Sequence, residues 1–199
     1  MESSDVNSFE SLEADILSQW KLMRMASHTT QRAQEEVRFL NIHRVRYVEV
    51  ETMAKVPWYW VGIMHMREAS GNFHAWLHNG DPMFDQHGRS VQTVHVPRHR
   101  PLNPEISWAG GALDCLEELG FANQDWVWNP QRCLWGWEKA NGFGYREWHH
   151  IPTPYNWGGT SVQEPGKYVR DAHFDPSVMD EQLGCAAVLK LILDEENKA

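Results

Sequence analysis

Apolar residues recur every three to four positions along much of the chain, which is the pattern of helices that bury one face. Residues 7–25 carry such a stripe, and Asn7 followed by Glu10 resembles a capping box at its start. Residues 28–53 predict a second, longer helix, although the β-branched stretch 45–50 is also compatible with a strand. The stripe of the first segment consists of Phe9, Leu12, Ile16, Trp20 and Met23.

The stretch 57–82 contains the most informative helix of the chain. Pro57 suits the first turn of a helix, where its missing N–H costs nothing. Val61 and Met64 lie seven and four residues before Glu68, so all three share one helical face. A Ser-Gly-Asn breaker follows this helix, and an Asn-Gly-Asp-Pro turn closes the stretch.

The rest of the pattern predicts one small β-hairpin and several more helices. Residues 73–78 and 91–96 are expected to be short strands around a turn-rich segment, directly after the central helix. Residues 141–174 are rich in Gly, Pro and Tyr and predict a structured loop region. Further helices, each opened by Asn-Pro or Asp-Pro, are predicted over 103–119, 129–140 and 175–195. The predicted fold class is mainly α (α+β).

A carboxylate at the end of an apolar helix face is a candidate for acid catalysis. Glu68 holds this position, where partial desolvation raises the pKa of a carboxyl group toward the range that a general acid needs. Glycoside hydrolysis pairs such an acid with a second carboxylate that activates water or stabilises the cationic transition state. Asp81, in the following turn, is the candidate, and Asp85 competes for the role. Thr93 is placed to orient a water molecule.

Composition and charge limit the classes of function. A length of 199 residues suits one domain with a short appendage. The formal net charge of −9 argues against a nucleic-acid-binding protein, which would carry a basic patch or stripe. We find no apolar run near 18 residues and no signal-peptide pattern, so we expect synthesis in the cytoplasm without membrane insertion. The three cysteines are far apart and form no CxxC pair, which predicts buried free thiols.

Tryptophan is unusually abundant, with 11 residues in the chain, nearly all of them after position 57. An indole ring offers a large flat apolar face and one hydrogen-bond donor, and sugar rings stack well on such faces. A carbohydrate groove is therefore one interpretation of this abundance. The other is that most of these rings fill the core.

Four strings in the sequence together resemble a family of bacterial and phage lysozymes within the lysozyme-like superfamily of peptidoglycan muramidases. The strings are HMREASGNFHAWLHNGDP, QTVHVPRHRP, EKANGFGYREWH and GKYVRD. The resemblance covers residues 56–193, and the chain departs from the family at His150, which stands where the family usually has a proline after His149. It implies a lysozyme-like catalytic domain over 56–199, preceded by N-terminal helices over 1–55.

The same resemblance implies roles for individual residues. Glu68 matches the acid at the end of the core helix, and the segment after it would be a β-hairpin lining the cleft. Asp81 matches an acidic position of the family string. The residues expected to bind substrate are Asn141, Phe143, Tyr145, Trp157 and His78. No metal or cofactor is required by this chemistry.

A zinc-dependent peptidoglycan peptidase is the alternative from a different class. His74, Asp81 and His149 resemble the HxxxxxxD and ExWH pair of zinc D-alanyl-D-alanine carboxypeptidases, and two histidines with one aspartate suit a catalytic zinc. The residues between His74 and Asp81 depart from that pattern, because Trp76 and Leu77 stand where a glycine and a small residue are expected.

The sequence therefore predicts cleavage of the β-1,4 bond between N-acetylmuramic acid and N-acetylglucosamine in peptidoglycan. A lytic transglycosylase and an inactive lysozyme-fold virion or binding module stay open as alternatives. The expected partner is the glycan strand, with no nucleic acid, and the N-terminal helices are candidates for contact with a phage tail or secretion apparatus. The protein would reach the cell wall after release from the cytoplasm or as part of a phage particle.

Overall fold

A computed structural model describes residues 5–104, 107–170 and 172–198. These residues are mainly helical, with one small antiparallel hairpin, as the sequence predicts for the fold class. The chain forms two compact units: the first comprises Met1–Val37 and Val127–Ala199, and the second comprises Arg38–Trp126. The boundary suggested by the sequence, between residues 55 and 56, falls inside the second unit.

The first helix, α1 (Phe9–Leu22), lies within the predicted segment but begins at a different cap. The Oγ of Ser8 accepts a hydrogen bond from the Ser11 N–H at 3.2 Å, which satisfies one of the free donors of the first turn. Asn7, the predicted cap, instead directs its side-chain amide to the Glu147 carboxylate. The predicted capping box is therefore wrong, because the serine one position later makes the capping bond.

The segment predicted as one long helix is two helices, α2 (Ser27–Ile42) and α3 (Arg44–Ala54), separated at His43. The strand alternative for 45–50 is wrong. Tyr47, Val50 and Ala54 are buried at helical spacing, so packing of this face overrides the β propensity of the valines.

In the second unit, α3 packs against two helices, α4 (Trp58–Ala69) and α5 (Trp108–Glu118). The Ser107 hydroxyl caps α5, later than the predicted start at 103, and residues 105–106 of that prediction lie outside the described residues. An aromatic cluster fills the space between these helices. Its members are Tyr47, His65, Phe73 and Trp108.

His65 is the polar member of this aromatic cluster and is fully buried. Its Nδ1 lies 3.0 Å from the Tyr47 hydroxyl. Burial, which disfavours the imidazolium form, lowers the pKa of His65 to about 4. The ring is therefore neutral at physiological pH and acts as a core residue.

The first unit is built around α6 (Pro130–Asn141), which packs on α1. Asn129 caps α6 through its side-chain oxygen, as the Asn-Pro signal predicts. Two more helices, α8 (Pro154–Trp157) and α9 (Cys185–Glu196), pack with α6 and with each other. The short α7 (Gly144–His149) follows α6 directly.

The hairpin of the first unit pairs β1 (Lys167–Arg170) with β2 (His173–Asp175), antiparallel, with Tyr168 opposite Phe174. It lies in the region predicted to be loop. Of the segments predicted as strands, 73–78 contributes one residue to an isolated bridge, Ala75 with Pro82, and 91–96 takes part in none of the strands or bridges of the described residues. The predicted position of the hairpin, directly after the central helix, is therefore wrong.

The last helix, α9, begins about ten residues later than predicted. The intervening segment instead supports the hairpin, because Asp180 accepts a hydrogen bond from Lys167 Nζ at 2.9 Å and the Val178 carbonyl accepts one from Gly166 N–H. Among the helices of the described residues, none combines the length and apolar character that a bilayer span requires.

Gly111 in α5 offers a direct test of the packing in the second unit. A Cβ at this position would lie 2.3 Å from the Trp76 ring, and Trp76 is fully buried, so it has little room to move. We expect Gly111→Ala to lower the free energy of unfolding by about 1–3 kcal/mol, the usual cost of overpacking a core. Urea denaturation measures the change. Gly144→Ala is the control, because its Cβ would meet neighbours only at 3.4 Å or more; equal effects of the two substitutions would contradict this packing.

Candidate functional site

Glu68 lies in the last turn of α4, as predicted, and its side chain is half-buried. Val61 and Met64, on the same face, are buried, so the apolar face predicted from the spacing is present. The helix ends at Ser70, whose backbone takes the left-handed conformation with φ 50° and whose N–H bonds back to the Met66 carbonyl.

The Asn-Gly-Asp-Pro turn packs against the same end of α4. Gly80 has φ +76°, and a Cβ built on it would lie 2.4 Å from the backbone carbonyl oxygen of Glu68. Only glycine combines that conformation with such a close approach. The turn is closed by hydrogen bonds of Trp76 N–H to the Asp81 carbonyl at 2.8 Å and of Gly80 N–H to the Trp76 carbonyl at 2.9 Å. The structure thus brings the backbone of Asp81 close to the end of the helix that carries Glu68.

The carboxylate of Asp81 is 6% exposed and accepts several hydrogen bonds from the loop that follows. Its Oδ2 receives the backbone N–H groups of Val94 at 2.7 Å and His95 at 2.9 Å. Its Oδ1 lies 2.7 Å from the His95 Nδ1, and Asn79 Nδ2 adds a contact to Oδ2 at 3.2 Å. Both oxygens are therefore occupied in fixing residues 94–95 to the turn.

Two opposing effects act on the pKa of Asp81. Burial, the largest, raises the pKa by disfavouring the charged form, but the hydrogen bonds from His95 and Val94 stabilise that form and together outweigh it. The net pKa of Asp81 is lower than its ordinary value of 3.8. Asp81 is thus a carboxylate at neutral pH, and its geometry suits a positioning role more than a free catalytic base.

Thr93 is buried beside the same loop, and its hydroxyl is already engaged. The Oγ1 donates to the Pro97 carbonyl and accepts the Arg100 N–H at 3.0 Å. The Arg100 carbonyl in turn accepts the Thr93 N–H at 2.6 Å. Thr93 therefore closes the loop 93–100 on itself, which leaves its hydroxyl poorly placed for the predicted task of orienting a water molecule.

His78 lies in a group of charged side chains next to α5. Its Nε2 lies 2.9 Å from Asp114 Oδ2, and its Nδ1 is buried without a hydrogen-bond partner. Arg100 Nε donates to the same Asp114 oxygen at 2.8 Å and lies 3.5 Å from Glu118. Burial lowers the pKa of His78, and Asp114 only partly opposes it. A side chain with no exposed surface cannot contact substrate, so the predicted substrate-binding role of His78 is not supported by its burial.

The buried thiol of Cys115 links this charged group to Glu68. Burial raises the pKa of Cys115 well above its ordinary value, and nearby negative charges raise it further. The carboxylates that act on it are Glu68, Glu118 and Asp114, with the guanidinium of Arg100 acting in the opposite direction. Glu68 of α4 therefore acts on the same buried thiol as Asp114 and Glu118, two carboxylates of α5. The thiol itself stays protonated and unreactive.

The other residues predicted to bind substrate belong to the first unit. Asn141 is exposed at the end of α6, and Phe143 is half-buried. Tyr145 is 9% exposed, and its hydroxyl accepts the Tyr168 N–H at 3.2 Å, which ties α7 to the hairpin. Trp157 is 1% exposed. Because both rings are buried, neither presents a face on which a sugar could stack.

The abundance of tryptophan is explained largely by the core. Every tryptophan of the sequence lies in the described residues, and Trp148, at 72%, is the one that is largely exposed. Trp60, Trp76, Trp137 and Trp157 are among the largest fully buried side chains. Of the two interpretations of the composition, core packing accounts for most of the rings.

The three residues of the zinc alternative, His74, Asp81 and His149, do not form a group arranged to hold a metal ion. His74 is exposed, and the carboxylate of Asp81 is occupied as described. His149, in the first unit, stacks on Phe174 with ring centroids 3.5 Å apart, and its Nε2 lies 2.8 Å from the Tyr168 hydroxyl. Within residues 5–104, 107–170 and 172–198, no group of three or more histidine, cysteine, aspartate or glutamate side chains is arranged to hold a metal ion.

The sequence reasoning missed three residues of this site: His95, Arg100 and Asp114. Asp114 carried a weak signal, because it stands among the apolar residues of α5 next to the buried Cys115 and Leu116. His95 and Arg100 carried no signal in the sequence. Their partners, Asp81 and Asp114, are each 14 residues away, and this spacing is not part of any known motif.

Asp81→Asn tests the role of this carboxylate in the loop. The asparagine carbonyl can still accept the Val94 and His95 N–H groups, but the charge of both hydrogen bonds is lost and its NH2 replaces the oxygen that faces the His95 ring, so we expect a loss of about 1–3 kcal/mol in the free energy of unfolding. Because the folded-state pKa of Asp81 is below its unfolded value, its stabilisation is complete above about pH 4 and is lost as the pH falls further. Urea denaturation of both proteins from pH 7 to pH 2.5 should show that their free energies of unfolding become more similar in acid. A difference that persists unchanged at pH 2.5 argues against the assigned role.

Comparisons of this chain with protein-family models, with curated proteins and with solved structures found no match.

Proposed function

We propose that this protein cleaves the glycan strand of peptidoglycan, with Glu68 as the general acid. The observation that carries the proposal is the position of Glu68: a half-buried carboxylate at the end of a helix whose face is buried through Val61 and Met64. Next to it lies the Asn-Gly-Asp-Pro turn, packed on the Glu68 carbonyl. The resemblance of the strings around residues 65–82, 92–101 and 138–149 to lysozymes supports the same assignment.

In this mechanism Glu68 protonates the oxygen of the β-1,4 bond between N-acetylmuramic acid and N-acetylglucosamine. The bond from that oxygen to the muramic acid C1 breaks, and positive charge develops on the sugar ring. For hydrolysis, a water molecule then attacks C1 and gives up a proton to the glutamate that has just lost one. Asp81 holds the loop after the turn in place and thereby shapes the surroundings of Glu68.

A lytic transglycosylase is the second candidate, and the hydrogen bonding of Asp81 favours it. Inverting and retaining glycosidases need a second carboxylate that is free to activate water or to attack the sugar. The oxygens of Asp81 already accept hydrogen bonds from Val94, His95 and Asn79. If Glu68 works alone, the 6-hydroxyl of muramic acid attacks C1, and the Glu68 carboxylate takes its proton. The product is then a 1,6-anhydro sugar.

The finer assignments follow from the same proposal. The helical fold would be lysozyme-like, with the segment 70–104 lining the cleft in place of a regular hairpin. The protein would act on the cell wall after release from the cytoplasm or as part of a phage particle. Helices α1 and α2 are then candidates for contact with a phage tail or secretion apparatus.

Glu68→Gln is the decisive substitution. Glutamine has nearly the same shape but cannot donate an acidic proton, so we expect the rate of cell-wall clearing to fall by about 100-fold or more. Turbidity loss of purified peptidoglycan measures the rate, and thermal melts establish that the variant is folded. EDTA should leave the wild type unaffected, which separates this mechanism from a zinc peptidase.

Glu49→Gln is the matched control, because Glu49 is exposed on α3 and undergoes the same chemical change. It should clear cell walls at the wild-type rate. A folded Glu68→Gln protein that does the same would end the assignment of Glu68 as the acid.

The released sugars distinguish the two candidates. Given the engaged carboxylate of Asp81, we expect mass spectrometry of the soluble muropeptides to find the 1,6-anhydro form of muramic acid. Its mass is lower than that of the hydrolysis product by one water. A product with a reducing muramic acid end would instead establish hydrolysis, and cut peptides without cut glycan would rule out both candidates.

A further inference from the structure

The dipeptide Asn-Gly occurs twice in the chain, at Asn79-Gly80 and at Asn141-Gly142. This pair is chemically labile, because the glycine nitrogen can attack the side-chain amide carbon of the asparagine and no Cβ on the glycine hinders the approach. The attack closes a five-membered ring, so the asparagine side chain and the glycine backbone must both leave their contacts first. The two pairs differ in how firmly the structure holds them.

Asn79-Gly80 is held on both sides of the bond that would form. The Asn79 side-chain oxygen accepts the Asp81 N–H at 2.9 Å, and its amide group donates to Asp81 Oδ2 at 3.2 Å and to the Val96 carbonyl at 3.3 Å. The Gly80 N–H, whose nitrogen would be the nucleophile, donates to the Trp76 carbonyl at 2.9 Å. Ring closure at this pair would require all of these hydrogen bonds to break, so the folded structure protects Asn79.

Asn141-Gly142 lies at the end of α6, where contacts are few. Asn141 is the last residue of the helix, and its exposed side chain makes no hydrogen bond with any residue that the structure describes. Gly142 has φ 90° and ψ 148°, so it lies outside the helix, and a Cβ at this position would meet no atom within 4 Å beyond its chain neighbours. Its N–H donates a long hydrogen bond of 3.3 Å to the Lys139 carbonyl. Helix ends with so few contacts open at a low cost in free energy.

We propose that Asn141 is a site of spontaneous deamidation in the folded protein and that Asn79 is not. The Gly142 nitrogen gives its proton to hydroxide and forms a bond to Cγ of Asn141. The bond from Cγ to the side-chain nitrogen breaks, and that nitrogen leaves as ammonia. Water then opens the ring at either of its two carbonyl groups, which gives aspartate or isoaspartate. Water and hydroxide are the only co-reactants, and nothing is oxidised or reduced.

Both products change the end of α6. Each places a negative charge at the C-terminus of the helix, where the helix macrodipole is itself negative, so the last turn is weakened. Isoaspartate also adds one methylene group to the main chain before Gly142. Asn141 is a residue expected to bind substrate, and deamidation would alter that surface as the protein ages. That consequence alone rests on the proposed function, whereas the modification depends only on the local structure.

The experiment incubates the purified full chain at about 37 °C and pH 8 and follows its tryptic peptides by mass spectrometry. Peptide 140–146 contains Asn141, and peptide 68–89 contains Asn79. Deamidation raises the mass by about 1 Da, because an OH group replaces an NH2 group. We expect the converted fraction of Asn141 to exceed that of Asn79 by about tenfold or more, since the turn at Asn79 must open before this residue can react.

The chain unfolded in urea is the control for the structural argument. Neither pair keeps its hydrogen bonds there, so both asparagines should convert at similar rates. Gly142→Ala should slow conversion of Asn141 several-fold, because a methyl group hinders the attacking nitrogen, and Gly144→Ala is the matched control in the same peptide that should leave the rate unchanged.

Three results would overturn the proposal. In the first, Asn79 of the folded protein converts as fast as Asn141. In the second, Asn141 stays intact in the folded protein while the unfolded chain converts. In the third, Gly142→Ala converts as fast as the wild type. None of these results depends on whether the protein cleaves cell walls, so the test is separate from that of Glu68.

Discussion

The buried carboxylate of Asp81 is the contact on which the arrangement around Glu68 depends. Residues 70–104 carry little regular secondary structure, so their backbone groups need partners other than a strand ladder. The Asp81 carboxylate accepts the N–H groups of Val94 and His95. The preceding residue, Gly80, packs against the Glu68 carbonyl at the end of α4. One ionised side chain thereby joins the helix end, the turn and the loop after it. Without it, the N–H groups of Val94 and His95 would lose their partner and residues 94–95 would no longer be fixed to the turn.

Charge is distributed unevenly around this arrangement. The group formed by His78, Asp114, Arg100 and Glu118 sits beside the buried thiol of Cys115, and the charge of Glu68 acts on the same thiol. Such groups are costly to bury unless they are paired, which is why the pairs are short and direct. In the first unit the same rule holds for Arg146, which Glu138 and Asp15 fix from two sides. Buried ionic contacts thus position side chains in both units.

Most of the aromatic residues fill the cores, which is one of the two roles that the composition left open. Tyr145 and Trp157 stabilise the first unit from within, and Trp60 and Trp76 do so in the second. A large flat ring removes much apolar surface from water, so each buried tryptophan adds strongly to the aliphatic core around it. The glycan proposal consequently rests on Glu68 and the polar groups around it, and not on stacking of sugars on the buried rings.

The sequence by itself determined the features that depend on neighbours along the chain. The periodic face of α4, the position of Glu68 at its end and the Asn129 cap of α6 all rest on contacts within a few residues. Tertiary structure decided the rest. The partners of Asp81 lie 13 and 14 residues away, and nothing in their spacing marks them. The hairpin at 167–175 likewise depends on support from Asp180 and Tyr145, since two strands of three or four residues do not hold together alone.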